Sequence, residues 1–281
     1  MIHYAIGDAH GCRAEFEKLF GLIVQDHAQH WFGTACQIVL LGDYVDRGPD
    51  SKGVLDLICS MKRQQMPGYG WGPVSATNPQ SIIALPGNHE ELFLDLIQLT
   101  HEGSDIQRAG GFWIQQGGLQ TLQSYVANEH NHPIFDPVEQ MKPAVWRDVI
   151  DRIPMSHIRL LEDMLQGDDP LYIDEQDQHI DEQDQHIDEQ DQLLFVHAGI
   201  VMKKRLDDHD TADFLWSRDR SFLLDVDADW VEPYTVVHGH TPADEPRIRN
   251  RRIGIDTGCF ETGILTAARF VYGKLDGFIS T

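Results

Sequence analysis

Basic residues are scarce. Lysine and arginine number 22 against 45 aspartates and glutamates, so the 281 residues carry a formal charge of −23. A surface of that sign repels nucleic-acid phosphates and argues against general nucleic-acid binding, although a bound cation reverses the field locally. Cysteines are few: Cys12, Cys36, Cys59 and Cys259, with no CxxC pair. That pattern argues against a disulfide framework and points to reduced thiols in a cytoplasmic protein. Three of them sit in apolar or strand-like contexts as small core residues, whereas Cys12 stands beside a charged motif, near a candidate site. No apolar run approaches the roughly 20 residues of a membrane span. The start, MIHYAIGDAHG, lacks the basic-then-apolar order of a secretory signal.

One segment is of low complexity, the acidic heptad repeat IDEQDQH at 173–192. One apolar residue per heptad is too few for a coiled-coil seam, and the carboxylates lack the glycine and spacing of a calcium loop. The repeat reads as a solvated loop insertion, which costs little because loop-closure entropy grows slowly with length. Elsewhere short apolar runs alternate with helix-like stretches. Ile2–Ile6, Ile38–Leu41, Ile82–Leu85, Leu193–Val196, Thr235–Val237 and Arg252–Ile255 read as strands. Arg13–Val24, Lys52–Lys62, Glu90–Leu99, Phe112–Tyr125, Val145–Ile153 and Ile158–Leu165 read as helices. The early βαβα order predicts an α/β fold with parallel strands, and the later strands add antiparallel character. No linker divides the composition, so one domain is expected over 1–281, with the repeat as an insertion.

The strand ends share a chemistry. Ile6 runs into GDAHG with Asp8 and His10, and Leu41 into GDYVDRG with Asp43, Asp46 and Arg47. Leu85 runs into PGNHE with Asn88, His89 and Glu90, Val196 into His197, and Val237 into His238 and His240. Residues just beyond the carboxyl ends of strands in an open α/β sheet meet in one crevice. A single Gly-Asp after a strand is an ordinary turn; five strands ending in Asp, Asn or His make a site. Carboxylate, amide and imidazole donors without thiolate suit Mn, Fe, Zn or Mg. Two Asp, one Asn and three His suffice for two divalent ions sharing a carboxylate, a clamp with ions roughly 3.5–4 Å apart that suits displacement at phosphorus.

GDAHG, GDYVDRG, GNHE, HAG and GHT, in this order over residues 7–241, resemble the phosphoprotein phosphatase family of calcineurin-like metallophosphoesterases. The bacterial branch is most similar; it includes serine/threonine protein phosphatases and symmetrical diadenosine tetraphosphate hydrolases. IGIDTGCFETGILTA also resembles the family's closing strands. Pro242 stands where other metallophosphoesterases carry a second histidine in Gly-His-x-His, which favours this branch. The resemblance implies a central β-sandwich of mixed sheets flanked by helices. It implies that Asp8, His10 and Asp43 hold one metal, and that Asp43 bridges to a second held by Asn88, His197 and His240. It further implies a metal-bridging hydroxide as nucleophile, His89 as general acid and phosphate contact, Asp46 as the group orienting His89, and Arg47 as a phosphate clamp. Arg218, in LWSRDR, is the expected second phosphate arginine, with Arg220 as alternative. Glu90 is expected to support the site or its helix's N-terminus, and His238 to stand behind the ligands or, with another register, to be one.

Two substrate classes follow from the resemblance. A phosphorylated protein, dephosphorylated at serine or threonine, is the leading reading. A nucleotide polyphosphate, split by a symmetrical dinucleotide hydrolase, is the alternative, and a non-catalytic binding module is disfavoured by the intact His89, Asp46 and Arg47. The segment GGFWIQQGGLQTLQSY at 110–125 is expected to form part of the substrate wall, with Trp113 and Tyr125 as core residues or base-stacking ones. Manganese is the expected metal.

Overall fold

A computed structural model describes residues 1–64, 81–167, 170–174, 192–202, 204–223 and 234–281. Most of the heptad repeat at 173–192 lies outside the described residues. The first half is built from β1 (Ile2–Ile6), α1 (Arg13–His30), β2 (Cys36–Leu40), α2 (Ser51–Gln64), β3 (Ser81–Ala84) and α3 (Asn88–His101). A helical wall follows: α4 (Gln107–Trp113), a π-helical turn (Ile114–Gly118), α5 (Leu119–Tyr125), α6 (Pro143–Ile150) and α7 (Met155–Leu165). The second half holds β4 (Leu171–Ile173), β5 (Leu193–Val196), α8 (Thr211–Trp216), α9 (Arg220–Leu223), β6 (Thr235–His238), β7 (Arg247–Arg249) and β8 (Arg252–Gly254). The chain closes with α10 (Cys259–Thr262), β9 (Thr266–Val271) and β10 (Lys274–Ser280).

Two five-stranded sheets result, with orders β10-β9-β1-β2-β3 and β4-β5-β6-β8-β7. In the first, β1, β2 and β3 run parallel at one end and the antiparallel pairings through β9 lie at the other; in the second, β5, β6 and β8 run parallel between antiparallel edge strands. The architecture is thus the α/β one expected, two mixed sheets flanked by helices.

The two-residue period of the strands builds three apolar layers. Ile2, Tyr4 and Ile6 of β1 join Ile38 and Leu40 of β2 beneath the helices, against Phe16, Ile58, Phe93 and Trp146. Ala5 and Val39 point the other way and meet Leu193, Phe195, Val237 and Ile253 of the second sheet. Leu194, Val196 and Val236 face outward to Phe214 and Phe222. Val236 and Val237 therefore serve different layers, as do Leu194 and Phe195, which is why these strands read as continuous apolar runs.

Four strands that no apolar run announced are present among the described residues. β4 and β7 are three-residue edge strands, and β7 reads Arg-Ile-Arg, the charged composition that protects an edge from foreign pairing. β9 and β10 form a hairpin whose turn places Tyr272 at φ 49° and Gly273 at φ 78°. The expected helix over Phe112–Tyr125 is interrupted, because Gly117 takes φ 106° inside the π-helical turn. The helix expected from Val145 to Ile153 begins at Pro143, in the first helical turn where proline is tolerated, and ends at Ile150.

Phe195 is fully buried between the sheets, and its ring meets those of His3, Tyr172 and Phe270 at centroid distances of 5.8–5.9 Å. Phe195→Ala is expected to cost about 3–5 kcal/mol of folding stability, read from denaturant midpoints.

Candidate metal centre

The parallel strands end at a common edge and release their polar loops there. Asp43 occupies the middle. Its Oδ2 lies 3.4 Å from His10 Nε2 and 4.0 Å from His89 Nε2, while its Oδ1 lies 3.3 Å from His197 Nε2. Two sets of donor atoms form around it, His10–Asp43–His89 and Asp43–His197–His240, each set within 4.8 Å of one another. Asn88 Oδ1 and His240 Nδ1 converge on His197 Nε2 at 3.0 and 3.1 Å. Asp8 joins through its Oδ2, which accepts the His240 backbone N–H at 2.9 Å.

The imidazoles are held in defined tautomers. His10 Nδ1 donates to Val45 O at 2.9 Å and His197 Nδ1 to Leu41 O at 2.8 Å, so the Nε2 atoms present lone pairs to the site. Burial lowers His10 to a pKa of about 3, despite the opposing charge of Asp43. Burial and the neighbouring His197 lower His240 to about 2, and burial likewise lowers His197. Neutral imidazole is the form that ligates a metal.

Carboxylates crowd the same space. Burial and the charges of Asp256 and Asp43 push Asp8 well above the usual carboxylate range. Burial opposes ionisation of Asp43 too, yet His197, His89, His10 and His240 together hold its pKa down. Asp8 Oδ1 and His240 Nε2 are buried without a hydrogen-bond partner. The Arg47 guanidinium leans in, 2.7 Å from His10 Nε2 and 3.0 Å from His89 Nε2, a cation pressed against lone pairs. Unpartnered oxygen, lone pairs aimed inward and clustered negative charge fit a pair of divalent cations shared through Asp43. Asp8, His10 and Asp43 would hold one, and Asp43, Asn88, His197 and His240 the other.

His89 and Asp46 form a separate pair. His89 Nδ1 donates to Asp46 Oδ2 at 2.6 Å. Asp46 is itself fixed by Trp113 Nε1 at 2.8 Å and Thr121 Oγ1 at 2.7 Å. Burial alone would lower the pKa of His89, but the charge of Asp43 and the hydrogen bond and charge of Asp46 outweigh it and raise it.

Glu90 organises the loop under Asp43. Its carboxylate accepts four backbone N–H groups, from Asp43 and Tyr44 at 2.8 Å, Gly87 at 2.9 Å and Val45 at 3.2 Å. Burial and the charge of Asp43 raise its pKa, and the Tyr44 and Gly87 N–H donors work in the other direction. A Cβ at Gly87 would stand 2.3 Å from the Asp43 nitrogen, so only glycine allows this approach.

The wall segment is also built for close contact. Gly117 O accepts the Arg47 N–H at 3.0 Å, and a Cβ at Gly117 would stand 2.7 Å from both the Arg47 nitrogen and Cγ. Trp113 is buried, stacked on Phe93 at 5.1 Å, and Tyr125 hydrogen-bonds His157 at 2.8 Å. Trp113 is a core residue, and Tyr125 packs half-buried against that core with its hydroxyl engaged by His157.

The structure thus brings together Asp8, His10, Asp43, Asp46, Arg47, Asn88, His89, His197 and His240. His238 is excluded: it packs against Phe222 on the outer face of the second sheet, centroids 5.1 Å apart, because β6 ends there and His240 sits beyond a turn at φ 62°. The period-two expectation therefore fails for this pair. Arg218 is exposed just beyond α8, and its charge lowers the pKa of His197 and His240. Arg220 is exposed at the start of α9. Asp256 was missed in the sequence. It follows β8 as a sixth polar strand end, 3% exposed, its pKa raised by burial and opposed by the Gly258 N–H at 2.9 Å. The signal was legible in IGID, where an apolar run again ends in aspartate.

Among known proteins, the calcineurin-like phosphoesterase family model matches residues 4–263. The chain is 26% identical to a protein of Oceanobacillus iheyensis named bis(5′-nucleosyl)-tetraphosphatase PrpE, asymmetrical, with 94% of this chain and 87% of that protein covered. It is 26% identical to the protein of the same name from Geobacillus thermodenitrificans, covering 94% and 89%. The corresponding protein of Anoxybacillus flavithermus is 27% identical, covering 96% and 91%.

Two substitutions test this geometry. Glu90→Gln replaces an acceptor of four N–H groups by a half-donor and is expected to cost about 3 kcal/mol of stability by denaturant unfolding. Asp43→Asn should weaken binding of both cations together in equilibrium dialysis; retention of one at full occupancy would refute the shared-carboxylate assignment.

Proposed function

The chain belongs to the calcineurin-like phosphoesterase family and is a phosphoric ester hydrolase, and from that premise we propose that its substrate is a bis-nucleosyl polyphosphate, cleaved with the help of two divalent cations, manganese by preference. The observation that carries the chemistry is Asp43, with one carboxylate oxygen turned to each of two histidine sets. The substrate class rests on the tetraphosphatase relatives, which align with 94–96% of this chain. That weight shifts the reading from phosphoserine or phosphothreonine, favoured by the sequence motifs alone, towards the dinucleotide.

Bound divalent cations would supply Lewis acidity to phosphoryl oxygens and acidify water. The chain's own residues do the rest. Asp46 fixes His89 with Nδ1–H pointing inward to the carboxylate, leaving Nε2 to carry a proton to the leaving oxygen. Arg47 has two N–H groups on His10 and His89. When a phosphoryl group arrives, its planar fork moves to the oxygens and releases His89 Nε2 for protonation. Arg218 is the second phosphate arginine in this reading, supported by the reach of its charge to His197 and His240.

Diadenosine tetraphosphate, incubated with manganese-loaded protein and resolved by anion exchange, separates the outcomes. ATP with AMP is the result expected from the named relatives, and two ADP would indicate symmetrical cleavage. An untouched dinucleotide beside phosphate release from a phosphothreonine peptide would overturn the proposal. His89→Ala is expected to reduce turnover of an alkyl phosphate by about 100- to 10,000-fold and of an activated aryl phosphate by much less, since the latter needs little acid assistance. Equal losses on the two would remove the acid role.

A further inference from the structure

Two of the four cysteines abut the metal centre without entering it. Cys12 and Cys259 come from nearly opposite ends of the chain, Cys12 just before α1 and Cys259 opening α10. The two side chains face each other across the start of both helices. Both sulfurs and a Glu15 carboxylate oxygen lie within 4.8 Å of one another. Cys12 is 6% exposed and Cys259 2%, whereas Glu15 is half-buried. Cys59, by contrast, is engaged elsewhere, donating to Ser156 O at 3.5 Å.

Cys12 through its sulfur, and Cys259 through its chain neighbour, adjoin residues of the centre. The Cys12 thiol points to His10 O at 3.7 Å. Cys259 precedes Phe260, whose ring meets His10 edge-on at 5.3 Å and carries the Arg47 guanidinium at 5.0 Å. Any movement of the two sulfurs is thus passed to a candidate metal ligand and to the candidate phosphate arginine.

We propose that Cys12 and Cys259 are a modification site: a peroxide converts the pair into an intramolecular disulfide that displaces His10 and Arg47 and suppresses hydrolysis. One thiol sulfur attacks the O–O bond of the peroxide, forming a sulfenic acid and releasing one water. The second sulfur displaces the sulfenic oxygen, which leaves with the remaining thiol proton as a second water. The two thiols lose two electrons and the peroxide gains them. The bond draws two sulfurs from non-bonded contact to about 2.05 Å. Misplacement of a catalytic group by about 1 Å costs up to about 100-fold in rate, so a loss of at least about tenfold is expected.

The proposal does not depend on which phosphoester is the substrate. Full-length protein loaded with zinc, which has no redox chemistry of its own, is treated with hydrogen peroxide. One portion is assayed on an aryl phosphate; another is unfolded in guanidinium, alkylated with iodoacetamide, weighed intact and digested. Two alkyl groups in place of the four that reduced cysteines accept, and a cross-linked peptide pair containing Cys12 and Cys259, are the expected result. Turnover falls with the appearance of that cross-link and returns with dithiothreitol, while Cys259→Ser keeps its turnover under the same treatment. Four alkylations after peroxide, a cross-link between other thiols, or loss of turnover at equal rates in wild type and Cys259→Ser would each overturn the proposal. So would a cross-link that leaves turnover unchanged. If Cys259→Ser does not fold, Cys12→Ala supplies the same comparison, and the mass of the wild type alone decides whether the bond forms.

Discussion

The centre of this molecule is organised by a carboxylate that does not itself face the candidate cations. Glu90 gathers the backbone N–H groups of Asp43, Tyr44, Val45 and Gly87, and so fixes the loop after β2 against the loop after β3. Asp43 can turn one oxygen towards each histidine set only because its backbone is held in this way. The arrangement concentrates Asp8, Asp43, Glu90 and Asp256 in one buried volume. Such a density of negative charge in low dielectric demands compensation beyond what Arg47, leaning in, and Arg218, exposed at a distance, supply. The case for divalent cations is therefore electrostatic as much as geometric.

The backbone is held out of its preferred regions at the same place. His10, Asp43, Asp46, Arg47 and His240 all take positive φ, between 41° and 72°. The other non-glycine residues of that kind among those described, Arg251 and Tyr272, occupy hairpin turns. Left-handed conformations cost non-glycine residues energy and persist where surrounding contacts impose them. Here the imposing contacts are visible: the Glu90 cradle, the Gly117 carbonyl on Arg47 and the Asp8 carboxylate on the His240 amide.

What could be read from sequence is the part that obeys local rules. Apolar runs ending in Asp, Asn or His located five of the strand ends, because burial sets the strand and the crevice sets its last residues. The same rule extends to Asp256, but its run is broken by Gly254 and the signal was too weak to single it out. What was hidden depends on tertiary contact. A helical pattern over Phe112–Tyr125 gave no indication that Gly117 would break it to accommodate Arg47, nor that the Trp113 indole would serve Asp46 rather than a ligand. His238 looked like a partner of His240 because strand periodicity was extended past the strand's actual end. Short edge strands such as β4 and β7 bury too little to leave a pattern.

The centre is divided between two sheets that share no strand. Asp8, His10, Asp43, Asn88 and His89 come from loops of the first, and His197, His240 and Asp256 from loops of the second. Only the apolar seam of residues such as Val39, Phe195 and Val237 brings the two sets together. The first half owns the His10–Asp43–His89 set, whereas the Asp43–His197–His240 set is complete only when both halves meet. Chemistry that needs both sets therefore depends on the docking of the two layers, since His197 and His240 reach Asp43 only from the second sheet. Cations captured across that seam would act as rivets, linking occupancy of the pocket to cohesion of the whole sandwich.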